Sequence, residues 1–154
     1  MRFRVPSHAY VPGETPRHPE GSFDRLTETA RSGMTPAALA ASDAWRAGWQ
    51  FLRQGYFWEA HELFEPVWMA LLPNSRERAM VQGAIQLANA ALKARMGRPR
   101  AVLRLCDLSE RHLSAAGDAG AGAMGADGAW LVREIARLRA EANLSLAKVQ
   151  NSAK

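Results

Sequence analysis

The chain has 154 residues, 47% apolar residues and a formal net charge of +5 at pH 7, which suits one globular domain with its own core. No stretch approaches the ~20 apolar residues of a membrane-spanning helix, and the opening MRFRVPSHAYVPGETPRHPEG resembles neither a signal peptide nor an anchor. A single cysteine, Cys106, cannot form an internal disulfide, so the composition favours a cytoplasmic protein without membrane partners.

The positive charge comes almost entirely from arginine, since the only lysines are Lys93, Lys148 and Lys154. Arginine suits bidentate contacts with anionic groups. The same composition also fits a general bias toward arginine, alanine and glycine. The charge therefore permits an acidic partner without establishing one.

Residues 1–21 are expected to form an extended arm, because four prolines in this stretch oppose a helix. Its apolar side chains are expected to dock the arm onto the body of the protein. A short helix is predicted from Ser22 to about Ser32. Next, Thr35 is placed to cap a helix that begins at Pro36 and runs to about Gln54.

Four more helices are predicted from periodicity and from the glycines and prolines between them. They cover residues 56–72, 75–96, 99–116 and 129–148, and a flexible linker of small residues covers 115–128. No segment alternates like a strand. The sequence thus predicts an all-α, single-domain bundle of five to six helices over residues 22–148, built from packed hairpins, with a frayed tail at 149–154.

The segment YFWEAHELFEPVW, residues 56–68, concentrates aromatic and ionisable side chains on one predicted helix. At about 100° per residue, His61 and Glu65 lie one turn apart at the edge of the core face, with Glu62 beside them. Glu59 falls on the opposite side and is expected to face solvent. Pro66 is expected to kink the helix and to free the carbonyl of Glu62.

The following helix carries a polar stripe along one side. Its members are Arg78, Gln82, Gln86, Asn89 and Lys93. This stripe either faces water or meets His61 and Glu65 across the hairpin. Periodicity alone favours water.

The letters HELFE resemble the zinc-protease pattern H-E-x-x-H, but Glu65 replaces the second histidine. A divalent metal held by His61 and Glu65, with Glu62 nearby, is one hypothesis. The simpler interpretation is a hydrogen-bonded structural histidine. Among the other candidates, Cys106 is expected to be a core residue, and His8 and His18 are expected to face solvent.

A group of cations surrounds the predicted turn at Gly97: Lys93, Arg95, Arg98, Arg100 and Arg104. The helix that begins at Pro99 offers free N–H groups to an anion such as phosphate. The group lacks the interleaved aromatic residues that stack on bases, so nucleic-acid binding is not favoured.

Two runs, GYFWEAHELFEPVW and ERAMVQGAIQLANAALKARMGRPRAVLRL, together resemble the prokaryotic domain of unknown function numbered 309. The resemblance covers about residues 45–113 and rests on an A-H-E-x-x-E-x-x-W helix, a Q-G-x-I-Q-x-A helix and a basic turn. The residues that carry it are Ala60, His61, Glu62, Glu65, Trp68, Gln82, Gly83, Ile85, Gln86, Ala88, Gly97 and Ala101. It implies an all-helical fold and carries no established activity.

The resemblance also favours a meeting of the polar residues of the two helices. The expected binding cluster is Trp58, His61, Glu62, Glu65, Trp68, Arg78, Gln82 and Gln86. Such a cluster suits a binding or interaction module for a small polar ligand or a protein partner. The alternatives are a metal-dependent hydrolase using His61 with Glu62 or Glu65, and a purely structural network. A homodimer through an exposed helix face with Trp45 and Trp49 is a further alternative.

Overall fold

The computed structural model describes residues 2–117 and 123–152, and all regular structure in these ranges is helical. The helices are α1 (Asp24–Thr27), α2 (Pro36–Ala40), α3 (Asp43–Gln54), α4 (Phe57–Ala70), α5 (Arg76–Arg95), α6 (Pro99–Ala115) and α7 (Gly128–Ser152), with a 3-10 turn at Ala123–Gly125. The helices α3 to α7 pack successively on one another as a bundle, and α5 also contacts α7. The predicted all-α bundle is confirmed. No helix in the described ranges is both long and apolar enough to cross a membrane.

The predicted helix over 35–54 is two helices, and Ser42 is the reason. The Ser42 hydroxyl donates to the carbonyl of Leu39 at 2.6 Å, at the end of α2. The same oxygen accepts from the backbone N–H of Trp45 and caps α3. One side chain therefore satisfies two helix ends, which favours a break over a continuous helix. At the other end, α3 stops at Gly55, which has a left-handed φ of 90°.

Two other boundaries differ from those predicted. The helix expected over 22–32 is only the four-residue α1. The Thr29 hydroxyl donates to the carbonyl of Leu26 and accepts from the N–H of Ala44, and these bonds compete with a longer helix. The helix α7 runs to Ser152, so residues 149–152 are helical and not frayed. The expected flexible linker over 115–128 lies partly outside the described residues, as do residues 153–154.

The helix α5 lies at the centre of the bundle, and a glycine on each side of the core permits close packing. A Cβ on Gly83 would lie 2.6 Å from Cδ2 of Leu113 on α6. A Cβ on Gly48 of α3 would lie 2.4 Å from Cε1 of Phe64 on α4. Both distances are impossible for real atoms, so α5 and α6, like α3 and α4, approach at the distance that glycine allows.

The face of α3 with Trp45 and Trp49 is not exposed as expected. Trp45 is only 2% exposed, and its indole N–H donates to the carbonyl of Met124 at 2.8 Å. Trp49 is half-buried between Phe64 and Trp130, with ring centroids 6.2 and 5.9 Å away. The turn at Met124 and the start of α7 cover much of this face.

The amino-terminal arm docks across α3 and α4, and it corrects three expectations. Glu59 is fully buried, and its Oε2 accepts from the backbone N–H of Tyr10 at 2.7 Å and from Nε2 of His18 at 2.6 Å. His18 is therefore buried too, and half-buried His8 stacks on it with ring centroids 4.5 Å apart. The arm therefore buries the side of α4 that faces away from the core. Helical periodicity alone cannot predict this burial.

The arm is fastened a second time at Phe3. The side-chain oxygen of Gln50 accepts from the Phe3 N–H, and the Gln50 amide donates to the Phe3 carbonyl, both at 2.7 Å. Arg46 lies over the Phe3 ring at 5.7 Å. These contacts hold the beginning of the arm on α3.

We expect Glu59→Gln to destabilise the protein by about 1–3 kcal/mol, because a buried charged acceptor is replaced by a weaker one. Urea unfolding measures the loss of stability. Amide hydrogen exchange should show a larger loss of protection at Tyr10 than at Val81 in the core of α5, where protection falls only by the global loss of stability. The exposed carboxylate on the same helix gives the matched control, and Glu65→Gln should change the free energy of unfolding by less than about 0.5 kcal/mol. Unchanged protection of Tyr10 would contradict the role given to Glu59.

Candidate functional site

The predicted site residues lie on the hairpin of α4 and α5, which is closed by a short turn. The turn contains Asn74 in a left-handed conformation, with φ of 65°. Ser75 then caps α5, since its hydroxyl accepts from the N–H of Arg78 at 3.1 Å. This turn brings the last residues of α4 beside the first turns of α5.

A cavity of about 490 Å³ opens where α4 ends, α5 begins and α6 ends. Three of the eight predicted residues line it, namely Trp68, Arg78 and Gln82. Polar residues that the sequence did not place there complete the wall: Asn74, Ser75 and His112. The cavity therefore combines one guanidinium, two amides, a hydroxyl and an imidazole beside an indole.

Arg78 is the charged group of this cavity. Its guanidinium carbon lies 4.1 Å from the centre of the Trp68 ring, which is a close cation–π contact. Its Nε is buried and has no hydrogen-bond partner within the described ranges. No ion pair involves Arg78 among residues 2–117 and 123–152, and no carboxylate is among the lining residues of the cavity.

His112 brings a second titratable group to the same wall. Burial lowers the pKa of the His112 imidazole below its usual 6.5, and the nearby charge of Arg111 lowers it further. The ring is therefore neutral at pH 7, with one nitrogen that donates and one that accepts. Sequence spacing did not predict that His112 would join this wall. Gly83 on α5 could have indicated that α6 packs closely there. A glycine facing α6 lets that helix come close enough to share a wall with α5.

His61, Glu62 and Glu65 form a separate group, one to two turns before Trp68 on α4. The Nδ1 of His61 lies 3.6 Å from a Glu62 oxygen, and Nε2 lies 3.9 Å from a Glu65 oxygen. Burial raises the pKa of the Glu62 carboxyl above its usual 4.5; the charge of His61 opposes this shift, and that of Glu65 reinforces it. None of the three lines the cavity beside Trp68.

This group has the donors that a divalent metal requires. One atom from each of the three side chains lies within 4.8 Å of the others. Two ligands of a tetrahedral zinc ion stand about 3.4 Å apart, given metal–ligand distances of about 2.1 Å. The 3.6 and 3.9 Å separations involve the two different nitrogens of the His61 ring, and one atom from each residue lies within 4.8 Å of the others, so the side chains would have to rearrange to share one ion.

The remaining predicted residues lie elsewhere. Trp58 packs edge-on against Tyr10 of the arm, with ring centroids 5.2 Å apart, and also lies near Phe23 at 6.2 Å. Gln86 is half-buried on α5, one turn beyond Gln82. The helix α4 continues through Pro66, which cannot donate to the carbonyl of Glu62. Of the eight expected residues, Trp68, Arg78 and Gln82 share a cavity, His61 lies beside Glu62 and Glu65, and Trp58 contacts the arm.

The cysteine and the basic group near Gly97 were the other candidates for chemistry, and their contacts are those of structural or exposed residues. Cys106 is fully buried, and burial raises the pKa of its thiol to about 11, so it is not poised as a nucleophile. In the basic group, Arg95 stacks on Phe57 at 4.6 Å and donates to the carbonyl of Gly55 at 2.8 Å. Arg98 and Arg100 are exposed.

The model of one protein family matches residues 45–105, and its description is "Domain of unknown function (DUF309)". Over these residues the chain is similar to this family. The match confirms the resemblance drawn from the paired motifs. The DUF309 segment includes His61, Glu65, Trp68, Arg78 and Gln82, but neither the arm nor His112. No curated protein and no solved structure gave a match.

We expect the imidazole of His112 to titrate below pH 6.5 in the folded protein, because burial lowers its pKa. The unfolded chain then takes up this proton first as the pH falls. Stability should therefore decline as the pH falls from about 6.5 toward the folded-state pKa. This part of the pH dependence should disappear in His112→Gln.

The measurement is NMR titration of the His112 ring, together with urea unfolding of both proteins at pH 7.5 and 5.5. An equal loss of stability in wild type and His112→Gln would contradict the prediction.

Proposed function

We propose that this domain is a cytoplasmic binding module that takes a small polar ligand with a carboxylate group in the cavity beside Trp68. The observation that carries the proposal is Arg78, a stacked cation with no ion-pair partner in the described part of the chain, facing a wall without carboxylates. A partly buried cation with unused N–H groups gains most from an anionic ligand.

The stacking of Arg78 on Trp68 explains why an anion with two oxygens suits the site. The guanidinium carbon lies only 4.1 Å from the ring centre, so the indole occupies the space on that side of the cation. Its N–H groups lie in the guanidinium plane, at the edges, where a carboxylate accepts two parallel hydrogen bonds. Hydrogen bonds of this charged type contribute about 1.5–3 kcal/mol each.

Other groups in the cavity wall also favour a polar, anionic ligand. Ser75 is the N-cap of α5, so the positive end of the dipole of this 20-residue helix lies at the cavity. The amides of Asn74 and Gln82 are also in the wall and donate or accept hydrogen bonds. A volume of about 490 Å³ suits a ligand of small-molecule size.

The test compares succinate with its neutral analogue succinamide by isothermal titration and by NMR. We expect succinate to bind better than succinamide and Arg78→Met to weaken succinate binding at least tenfold. Methionine keeps much of the apolar contact with Trp68 but loses the charge and the N–H groups. Arg78→Lys, which keeps the charge without the fork of donors, should fall between wild type and Arg78→Met.

Arg104→Met is the matched control, because Arg104 is an exposed arginine outside the cavity and should leave binding unchanged. Equal binding of succinate and succinamide, or unchanged binding in Arg78→Met, would contradict the proposal. If Arg78→Met only lowered the melting temperature and wild type bound neither compound, the stack on Trp68 would be purely structural.

A second candidate function, metal binding, is favoured by the donors of His61, Glu62 and Glu65 within 4.8 Å of one another. We expect Zn²⁺ to bind in isothermal titration and Mn²⁺ to broaden the NMR signals of residues 61–65 selectively. His61→Ala should abolish both effects, because it removes the one nitrogen ligand. His112→Gln should leave both unchanged. Broadening spread over many exposed carboxylates would instead show unspecific binding.

A further inference from the structure

A second cavity, of about 650 Å³, lies beneath the amino-terminal arm. One wall is the arm from Phe3 to Ser7, another is formed by Phe23 and α1, and Phe51 of α3 also lines it. It shares no lining residue with the cavity beside Trp68. Its volume falls within the ordinary range for small-molecule sites.

The arm wall is fixed at both ends, so the cavity is already formed without a ligand. Gln50 holds both backbone groups of Phe3 on α3. Glu59 holds Tyr10 and His18 on α4. The intervening residues 4–9 therefore cross over the cavity between two fastened points. A pre-formed cavity spares a ligand the cost of ordering its own site.

The side chains around this cavity are largely apolar. Phe3, Phe23 and Leu26 are half-buried and pack against the core, and Phe51 is fully buried beneath them. Their remaining exposed surface would leave water when an apolar group enters. The cavity therefore favours a ligand with an aliphatic or aromatic body.

The charges at this cavity favour an anion. Arg4 and Arg25 are exposed lining residues. Asp43 is the single carboxylate of the lining, and Arg46 lies 3.8 Å from it and offsets its charge. His18 adds an imidazole whose Nε2 is already committed to Glu59. Positive charge at the edge of an apolar cavity complements a ligand with one anionic end.

We infer that the cavity beneath the arm binds an amphipathic carboxylate, with its apolar body against Phe23, Leu26 and Phe51 and its charged end at Arg25. This site is independent of the one proposed beside Trp68 and takes a different class of ligand, because its walls are mainly apolar. The arm is thus a wall of a binding site as well as a cover for α4.

The probe is octanoate, compared with octanol as an uncharged molecule of the same chain length. NMR titration of the full chain should show saturable shifts at Phe23, Leu26 and Val5 with octanoate and weaker binding of octanol. Arg25→Glu should weaken octanoate binding about tenfold, as expected for a charge reversal at a partly exposed site. Arg31→Glu, an exposed arginine outside the lining, should leave it unchanged.

Leu26→Trp should abolish binding by filling the cavity, and Arg78→Met should have no effect, which separates this site from the one beside Trp68. The inference is overturned if octanoate causes no saturable shifts at the arm, if octanol binds as tightly, or if Arg25→Glu binds as wild type does. If Leu26→Trp does not fold, the comparison of Arg25→Glu with Arg31→Glu still decides.

Discussion

A buried carboxylate holds the amino-terminal arm on the bundle. Glu59 lies on α4 away from the core, and it is shielded from water only because the arm covers it. Its Oε2 receives the N–H of Tyr10 and the Nε2 of His18, and these two close donors offset part of the cost of burying a carboxylate whose Oε1 has no hydrogen-bond partner among the described residues. Without the arm, α4 would present Glu59 and Trp58 to solvent, and the cavity beneath the arm would lose a wall.

Several helix boundaries were predictable from sequence because their determinants are local. Ser75 as an N-cap, Gly55 as a stop and Pro99 at a first turn act within a few residues of themselves. The break at Ser42 was not found, since serine is compatible with both a helix interior and a cap, and its contact with Leu39 decides between them. Periodicity also placed Glu59 in solvent, which is wrong. It distinguishes the core face of a helix from the opposite face, but it cannot show that a segment distant in sequence covers that opposite face.

In the candidate site too, residues close in sequence were predictable and residues from distant segments were not. Trp68, Arg78 and Gln82 meet at one cavity, and they lie close to the turn of a single hairpin, where sequence spacing is informative. His112 comes from the end of α6 and Tyr10 from the arm, so their positions depend on packing between elements far apart in the chain. The DUF309 segment covers residues 45–105, and both proposed binding sites draw part of their walls from outside it.

The one thiol of the chain offers a probe of motion. Cys106 lies on α6 and faces α7, with its sulfur 4.0 Å from the carbonyl of Ile135, and burial raises the pKa of the thiol to about 11. A movement of α7 away from α6 would open this sulfur to a thiol reagent, and the chain has no second cysteine to confuse the signal. The rate of labelling would therefore report how often the carboxyl-terminal helix separates from the bundle, with no engineered label.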